Sequence, residues 1–188
     1  MNLENIALIG FMGSGKTTVG KILADDLGCP FVDLDELIVK TAGKSITEIF
    51  AQDGEAAFRL LEAKLLRRTV DRYAEGTAVL SLGGGAVMNP GSAALLHDKT
   101  TCIYLRATLD TLLQRLAGET AGRPLLQGIP DQVGDDGDPV VMPGPDRASV
   151  SARLASREPV YEETAHVIMD TDGQSPDEVA DEIIISAL

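Results

Sequence analysis

Gly10-Phe11-Met12-Gly13-Ser14-Gly15-Lys16-Thr17 is the stretch that decides how this chain folds. It fits Gly-x-x-x-x-Gly-Lys-[Ser/Thr], the phosphate-binding loop, and its surroundings fit as well as its letters do. Before it, Ile6-Ala7-Leu8-Ile9 is a short apolar run that reads as a buried strand. After it, Val19, Ile22, Leu23 and Leu27 recur at helical spacing. A strand that feeds a helix through such a loop builds an anion site. Glycines let the backbone curl into a nest of N–H groups, and the helix start adds partial positive charge. Lys16 is long enough to reach the β and γ phosphates of ATP, and the Thr17 hydroxyl can ligate Mg²⁺. Gly13, Ser14, Gly15 and Thr18 complete the cradle. The plain alternative is a glycine-rich turn that binds nothing, and Gly-Lys-Thr-Thr at a helix start argues against it.

Outward from the loop, the chain alternates strand and helix. Gly28 and Pro30 stop the first helix, and Phe31-Val32-Asp33 is a short strand running into Asp33-Leu34-Asp35. A short helix follows over 36–40, closed by Gly43. Ser45-Ile46-Thr47-Glu48 has the form of a capping box. A long helix over roughly 54–73 buries Phe58, Leu61, Leu65 and Leu66. The next strand, 78–82, runs into Gly83-Gly84-Gly85. It is followed by a helix at 90–97, a strand at 102–105 and a helix at 109–116. Residues 118–146 are rich in Gly, Pro and Asp and lack a period, which predicts a mobile lid. Helix returns over 147–156, Glu158-Pro159 marks a break, 167–169 is a last strand, and Ser175-Pro176-Asp177-Glu178 opens the terminal helix.

This alternation predicts an α/β fold, a parallel five-stranded sheet with helices on both faces. In such sheets ligands sit beyond the carboxyl ends of the strands. The loop, Asp33-Leu34-Asp35 and Gly83-Gly84-Gly85 all fall at that edge. The 188 residues suit one domain over 1–188.

Composition narrows the partners. Hydrophobic residues at 44% and charged residues at 24% are globular proportions. A net charge of −13 argues against nucleic acid or an anionic membrane, though a local basic pocket could still take an anionic small molecule. No apolar run has the length of a membrane span, and the N-terminal residues lack a signal-peptide layout. Cys29 and Cys102 lie far apart in or beside apolar segments and read as buried free thiols, which favours a reducing cytoplasm. His97 and His166 read as isolated and carry no assigned chemistry.

Several residues have two readings at this stage. Asp33 and Asp35, two apart in an extended segment, point the same way and suit one site, but Asp35 could simply cap a helix. Arg59 has Glu55 and Glu62 at helical spacing and could be a surface ion pair; Arg157 could pair with neighbouring glutamates. Three glycines in a row are either a close-approach surface offering backbone N–H groups or a flexible turn.

The ordered set of motifs resembles the shikimate kinases, P-loop kinases of nucleoside-monophosphate-kinase-like fold. The elements in order are Gly-Phe-Met-Gly-Ser-Gly-Lys-Thr-Thr, Phe-Val-Asp-Leu-Asp, Gly-Glu-Ala-Ala-Phe-Arg, Ser-Leu-Gly-Gly-Gly-Ala-Val, Gly-Arg-Pro-Leu-Leu and Arg-Glu-Pro-Val-Tyr. The resemblance covers nearly the whole chain and implies a substrate-binding region over about 34–60. It implies phosphorylation of the 3-hydroxyl of shikimate by ATP and Mg²⁺, on the route to chorismate and the aromatic amino acids. It assigns Thr17 and Asp33 to the metal and Asp35 to the substrate hydroxyls, as orienter and proton acceptor. It gives Arg59 and Arg157 the substrate carboxylate, and Gly84 and Gly85 backbone contacts to substrate. Arg123 would be a lid arginine closing on the phosphates, and Arg115 with Pro176 would sandwich adenine. Lys16, Asp35 and Arg123 would thus form the catalytic set, in a protein expected to be a cytoplasmic monomer.

The chain departs from the family in two places. The lid is longer and acidic, with Asp131, Asp135, Asp136 and Asp138, which puts its closure geometry in question. Asp172-Gly173-Gln174 stands where many members carry an arginine on the adenine side. Alternative readings are a related kinase acting on gluconate, aminoshikimate or a nucleoside monophosphate, and a nucleotide-binding regulatory module with no acceptor.

Overall fold

In the computed structural model, β1 (Asn5–Ile9) is buried at every position and lies at the centre of the sheet. The structure describes residues 4–120 and 147–187, apart from the side chains of 118–120. β1 feeds the P-loop and then α1 (Lys16–Asp26). β2 (Phe31–Asp33), β3 (Val79–Ser81), β4 (Thr100–Arg106) and β5 (Val167–Asp170) complete a five-stranded sheet in the order β2-β3-β1-β4-β5. Every neighbouring pair is parallel, as the strand–helix alternation predicts.

Helices cover both faces because β1 alternates its side chains. Ile6 and Leu8 join a core with Val19 and Leu23 of α1 and with Val179 and Ile183 of α7 (Pro176–Ala187). Ala7 and Ile9 face a second, larger core. It takes in Ile38 of α2 (Leu34–Ala42), Leu65 and Leu66 of α3 (Ile46–Arg72), Leu96 of α4 (Pro90–Lys99) and Tyr161 of α6 (Arg147–Thr164). Full burial of each such side chain is worth about 1.5–3 kcal/mol. A 3₁₀ turn (Ala86–Met88) leads into α4, and α5 (Leu109–Thr120) follows β4.

The helix signals behave as their chemistry requires. Ser45 and Glu48 form a reciprocal capping box at the start of α3. The Ser175 and Glu178 side chains do the same at α7. Gly43, with φ 65°, closes α2. Gly54 sits inside α3 at φ 82° and ψ 167°, a conformation that only glycine adopts readily. α3 is therefore two helical stretches joined at a kink, not one rod.

Three expectations are corrected. Pro159 does not break α6, which runs through it to Thr164. Pro159 and Ala155 lie on the exposed face, where water can take the carbonyl that the proline ring leaves unbonded. The opposite face is held by buried Val150 and Tyr161. His97 and His166 are not isolated: their rings stack 4.6 Å apart, and the Cys102 N–H donates to His166 Nδ1 at 3.1 Å. His166 immediately precedes β5, so the pair marks the end of the sheet opposite the P-loop. Asp35 does not cap a helix and is not extended. Asp33 is the N-cap of α2, accepting from the N–H groups of Asp35 and Glu36, and Asp35 lies in the first helical turn. The lid expected over 118–146, and Arg123 within it, lie outside the described residues except for 118–120, which end α5.

Candidate active site

Sheet register brings the site together. β3 lies between β1 and β2, with Ser81 beside Leu8 on one side and Asp33 on the other. The P-loop, Asp33 and the glycine run therefore leave three adjacent strands at one edge. Thr17, at the start of α1, closes the group: its hydroxyl donates to Asp33 Oδ2 at 2.9 Å and lies 3.3 Å from the buried Ser81 hydroxyl. Thr17 and Asp33, read from sequence as metal ligands, thus meet directly.

The P-loop is held open by its glycines. Gly15 is the N-cap of α1 with φ 96°, a left-handed conformation that a side chain would strain. Gly10, with φ 141°, passes so close to β4 that a Cβ there would stand 2.6 Å from the Leu105 carbonyl oxygen. The Lys16 ammonium donates across the loop to the carbonyls of Gly10 and Phe11, at 2.9 and 2.8 Å. On the outer side, Arg115 of α5 donates to the Thr171 carbonyl at 2.7 Å and to its hydroxyl at 3.0 Å. The same guanidinium stands 3.4 Å from the Gly13 and Ser14 carbonyls. Arg115 therefore ties the P-loop to the segment leading to Pro176, the first residue of α7. Gln174 in that segment donates to Glu182 at 3.1 Å.

The glycine run packs on this loop, and at Gly83 and Gly85 a side chain would run into the protein's own charged groups. At Gly83 a Cβ would stand 2.8 Å from Asp35 Oδ1 and 3.3 Å from Glu62 Oε1. At Gly84 it would meet the Gly10 carbonyl at 3.4 Å, and at Gly85 both terminal nitrogens of Arg59 at 2.7 Å. Missing side chains let the protein's own charged groups close around the turn. Tyr161 of α6, fully buried, donates its hydroxyl to the Gly84 carbonyl at 2.5 Å.

The ion-pair reading of Arg59 holds, and the pairs also place its guanidinium at the glycine turn. It bonds Glu55 at 3.3 Å and Glu62 at 2.9 Å, and those bonds steer its guanidinium against Gly85. Arg157 approaches from α6, with its guanidinium 5.9 Å from the centre of the Phe11 ring, and its charge acts on Glu62. Burial pushes the Asp35 carboxyl above the usual aspartate range. The Asp33 charge adds to that, and Lys16 and Arg59 pull it part of the way back. Burial likewise raises Glu62, against the pull of Arg59.

Glu62 is the residue that sequence reading left as a mere ion-pair partner. It is 3% exposed. A signal was present: Glu62 shares the buried stripe of α3 with Phe58, Leu65 and Leu66, and a carboxylate on such a stripe needs a reason. Ser81 and Tyr161 lie inside the motifs Ser-Leu-Gly-Gly-Gly-Ala-Val and Arg-Glu-Pro-Val-Tyr, but those letters do not give their partners, which are fixed by register and by packing of a distant helix. Cys102 is a packing residue as expected, with burial pushing its thiol up to about 12.

A central parallel strand feeding a P-loop, beside the Asp35 and Glu62 carboxylates and the Arg59 and Arg157 guanidiniums, defines a kinase of small molecules. Comparison with known proteins agrees in detail. The model of the shikimate kinase family matches residues 12–187. Shikimate kinase from Enterococcus faecalis is 39% identical over 185 residues, covering 97% of both chains. Shikimate kinase from Salinibacter ruber is 42% identical over 167 residues, covering 89% of this chain and 76% of that protein. The solved shikimate kinase from Acinetobacter baumannii in complex with shikimate superposes with a TM-score of 0.79 at 33% identity, covering 97% of this chain and 91% of that one. This chain belongs to the shikimate kinase family.

Proposed function

We propose that this chain transfers the γ-phosphoryl group of ATP to the 3-hydroxyl of shikimate, giving ADP and shikimate 3-phosphate. The observation that carries the reading is the gathering of Asp35 and Arg59 at the glycine turn that packs on the P-loop, with Arg157 beside Phe11 of that loop and acting on Glu62. Transfer of this kind needs positioning and charge neutralisation more than a strong base.

Each residue has a part in that chemistry. Lys16 and the N–H groups of Gly13 to Thr18 hold the nucleotide phosphates. Arg59 and Arg157 take the carboxylate of shikimate, with two-point geometry available to each guanidinium. Gly84 and Gly85 let the ring approach and offer backbone donors. Asp35 orients the ring hydroxyls and accepts the proton of the 3-hydroxyl as the new P–O bond forms. Its raised affinity for a proton suits that task. Arg123 closes on the phosphates from the lid, and Arg115 with Pro176 flanks adenine.

The metal site fits Mg²⁺. Thr17 and Asp33 offer hard oxygen donors 2.9 Å apart, and a magnesium ion asks few ligands of the protein when phosphates and water complete its shell. Thr17 would hold the ion directly and Asp33 through water. When bound, the ion neutralises charge across the β and γ phosphates. No helix among the described residues is long and apolar enough to cross a membrane. Cys29 and Cys102 are free thiols, the form a reducing cytoplasm keeps, and the chain would work there as a monomer.

A coupled ADP-release assay tests the reading, with ATP and Mg²⁺ and with shikimate, gluconate, quinate and AMP as parallel acceptors. Shikimate alone should drive saturable ADP release. A response to gluconate or AMP in its place, or hydrolysis indifferent to every acceptor, would refute it.

A further inference from the structure

Tyr161 sits in the Arg157-Glu-Pro-Val-Tyr161 motif but has no part in the chemistry described so far. It lies one helical turn after Arg157, on the inner side of α6, and is fully buried. Its ring packs on Tyr104 with centroids 5.0 Å apart, and its hydroxyl donates to the Gly84 carbonyl.

That bond fixes more than one oxygen. The peptide between Gly84 and Gly85 is planar and trans, so holding its carbonyl sets the Gly85 N–H in the opposite direction, away from Tyr161. Gly85 lies against the Arg59 guanidinium, and Gly84 lies against the backbone of Gly10 and Met12. The turn has no side chains of its own to anchor it, and glycine backbone is otherwise free to rotate. We infer that Tyr161 is a positioning residue for the acceptor: its hydroxyl locks the Gly84–Gly85 peptide so that a backbone donor and Arg59 meet the substrate in fixed relation to the P-loop. It also makes α6 the element that presents Arg157 and braces the glycine turn together. The inference rests on the shikimate kinase reading above.

The test is Tyr161→Phe, which removes one oxygen and keeps the ring packed on Tyr104. Losing a buried hydrogen bond of this kind should raise KM for shikimate about five- to tenfold. KM for ATP and ADP binding by calorimetry should stay within about twofold, because the P-loop keeps its own glycine geometry and Lys16 contacts. A purely structural role would instead lower the melting temperature and the active fraction and leave KM for shikimate unchanged. That result would overturn the inference. A double-mutant cycle adds the second readout. If the hydroxyl acts through the glycine turn, Tyr161→Phe and Gly84→Ala should be strongly non-additive in kcat/KM; additive effects would overturn it as well. The unaltered protein is assayed alongside. Absence of shikimate-dependent turnover there would sink the kinase reading itself, whereas an active parent with an unchanged variant would sink only the role of Tyr161.

Discussion

Asp35 is where the site's chemistry and its cost to the fold meet. Its carboxyl is half-buried between the glycine turn and the charge of Asp33, and both raise its affinity for a proton. The folded chain therefore holds that proton at pH values where the unfolded chain has released it. Between the two pKa values stability falls as pH rises, and at neutral pH the ionised group is a net burden. Asp35→Asn should raise the melting temperature at pH 7, and the gain should vanish below about pH 4, where the unfolded carboxyl is also protonated. Turnover should fall about 10²-fold or more. The acid limb of the parent's pH–rate profile should lie above that of an ordinary aspartate and be absent in the variant. Equal melting temperatures at pH 7 would show that burial does not burden this group.

Among the elements, α3 shows how a single residue aims a helix. Its capping box starts the first stretch, and the kink at Gly54 redirects the chain before Phe58 and Arg59. Phe50 and Phe58, on either side of the kink, pack with ring centroids 4.7 Å apart. Nothing lies within 4 Å of a Cβ built at Gly54, so its glycine is required by conformation alone. Gly54→Ala should cost about 1–3 kcal/mol and lower the melting temperature by about 2–10 °C. The control is Gly76→Ala, a glycine with equal room and no positive φ, which should change stability little. Equal effects of the two substitutions would show that the kink is not strained for other residues. The elements were largely legible, because capping boxes, glycine stops and apolar period act through neighbours in sequence. α6 was misread at Pro159 because a proline's cost depends on which face of the helix it occupies, and that is set by packing.

Across the whole molecule, a net charge of −13 surrounds a pocket that must accept ATP and, on the present reading, a carboxylate. Lys16, Arg59 and Arg157 supply the local positive charge, and the general surface repels itself. Melting temperature should accordingly rise by a few degrees as ionic strength goes from about 10 mM to about 200 mM, where surface charges beyond roughly 8–10 Å no longer feel one another. A flat or falling dependence, measured by calorimetry, would mean that the acidic surface is already neutralised by local pairs such as Arg106 with Asp170.

The amino-acid sequence alone determined the P-loop, the order of strands and helices, the parallel sheet and which motifs meet at the carboxyl edge of the sheet. Each of these follows from local chemistry: a motif whose context is its own flanking residues, and hydrophobic periods of two and 3.6. Only the tertiary structure decided what the charged and polar groups face. It made Asp33, not Asp35, the cap of α2, gave Arg59 both its ion pairs and its place against Gly85, and buried Glu62 beside Asp35. It also stacked two histidines 69 positions apart and set the Tyr161 hydroxyl on a glycine carbonyl 77 positions away. Those contacts come from strand register and helix packing over long separations, and no local pattern encodes a partner that distant.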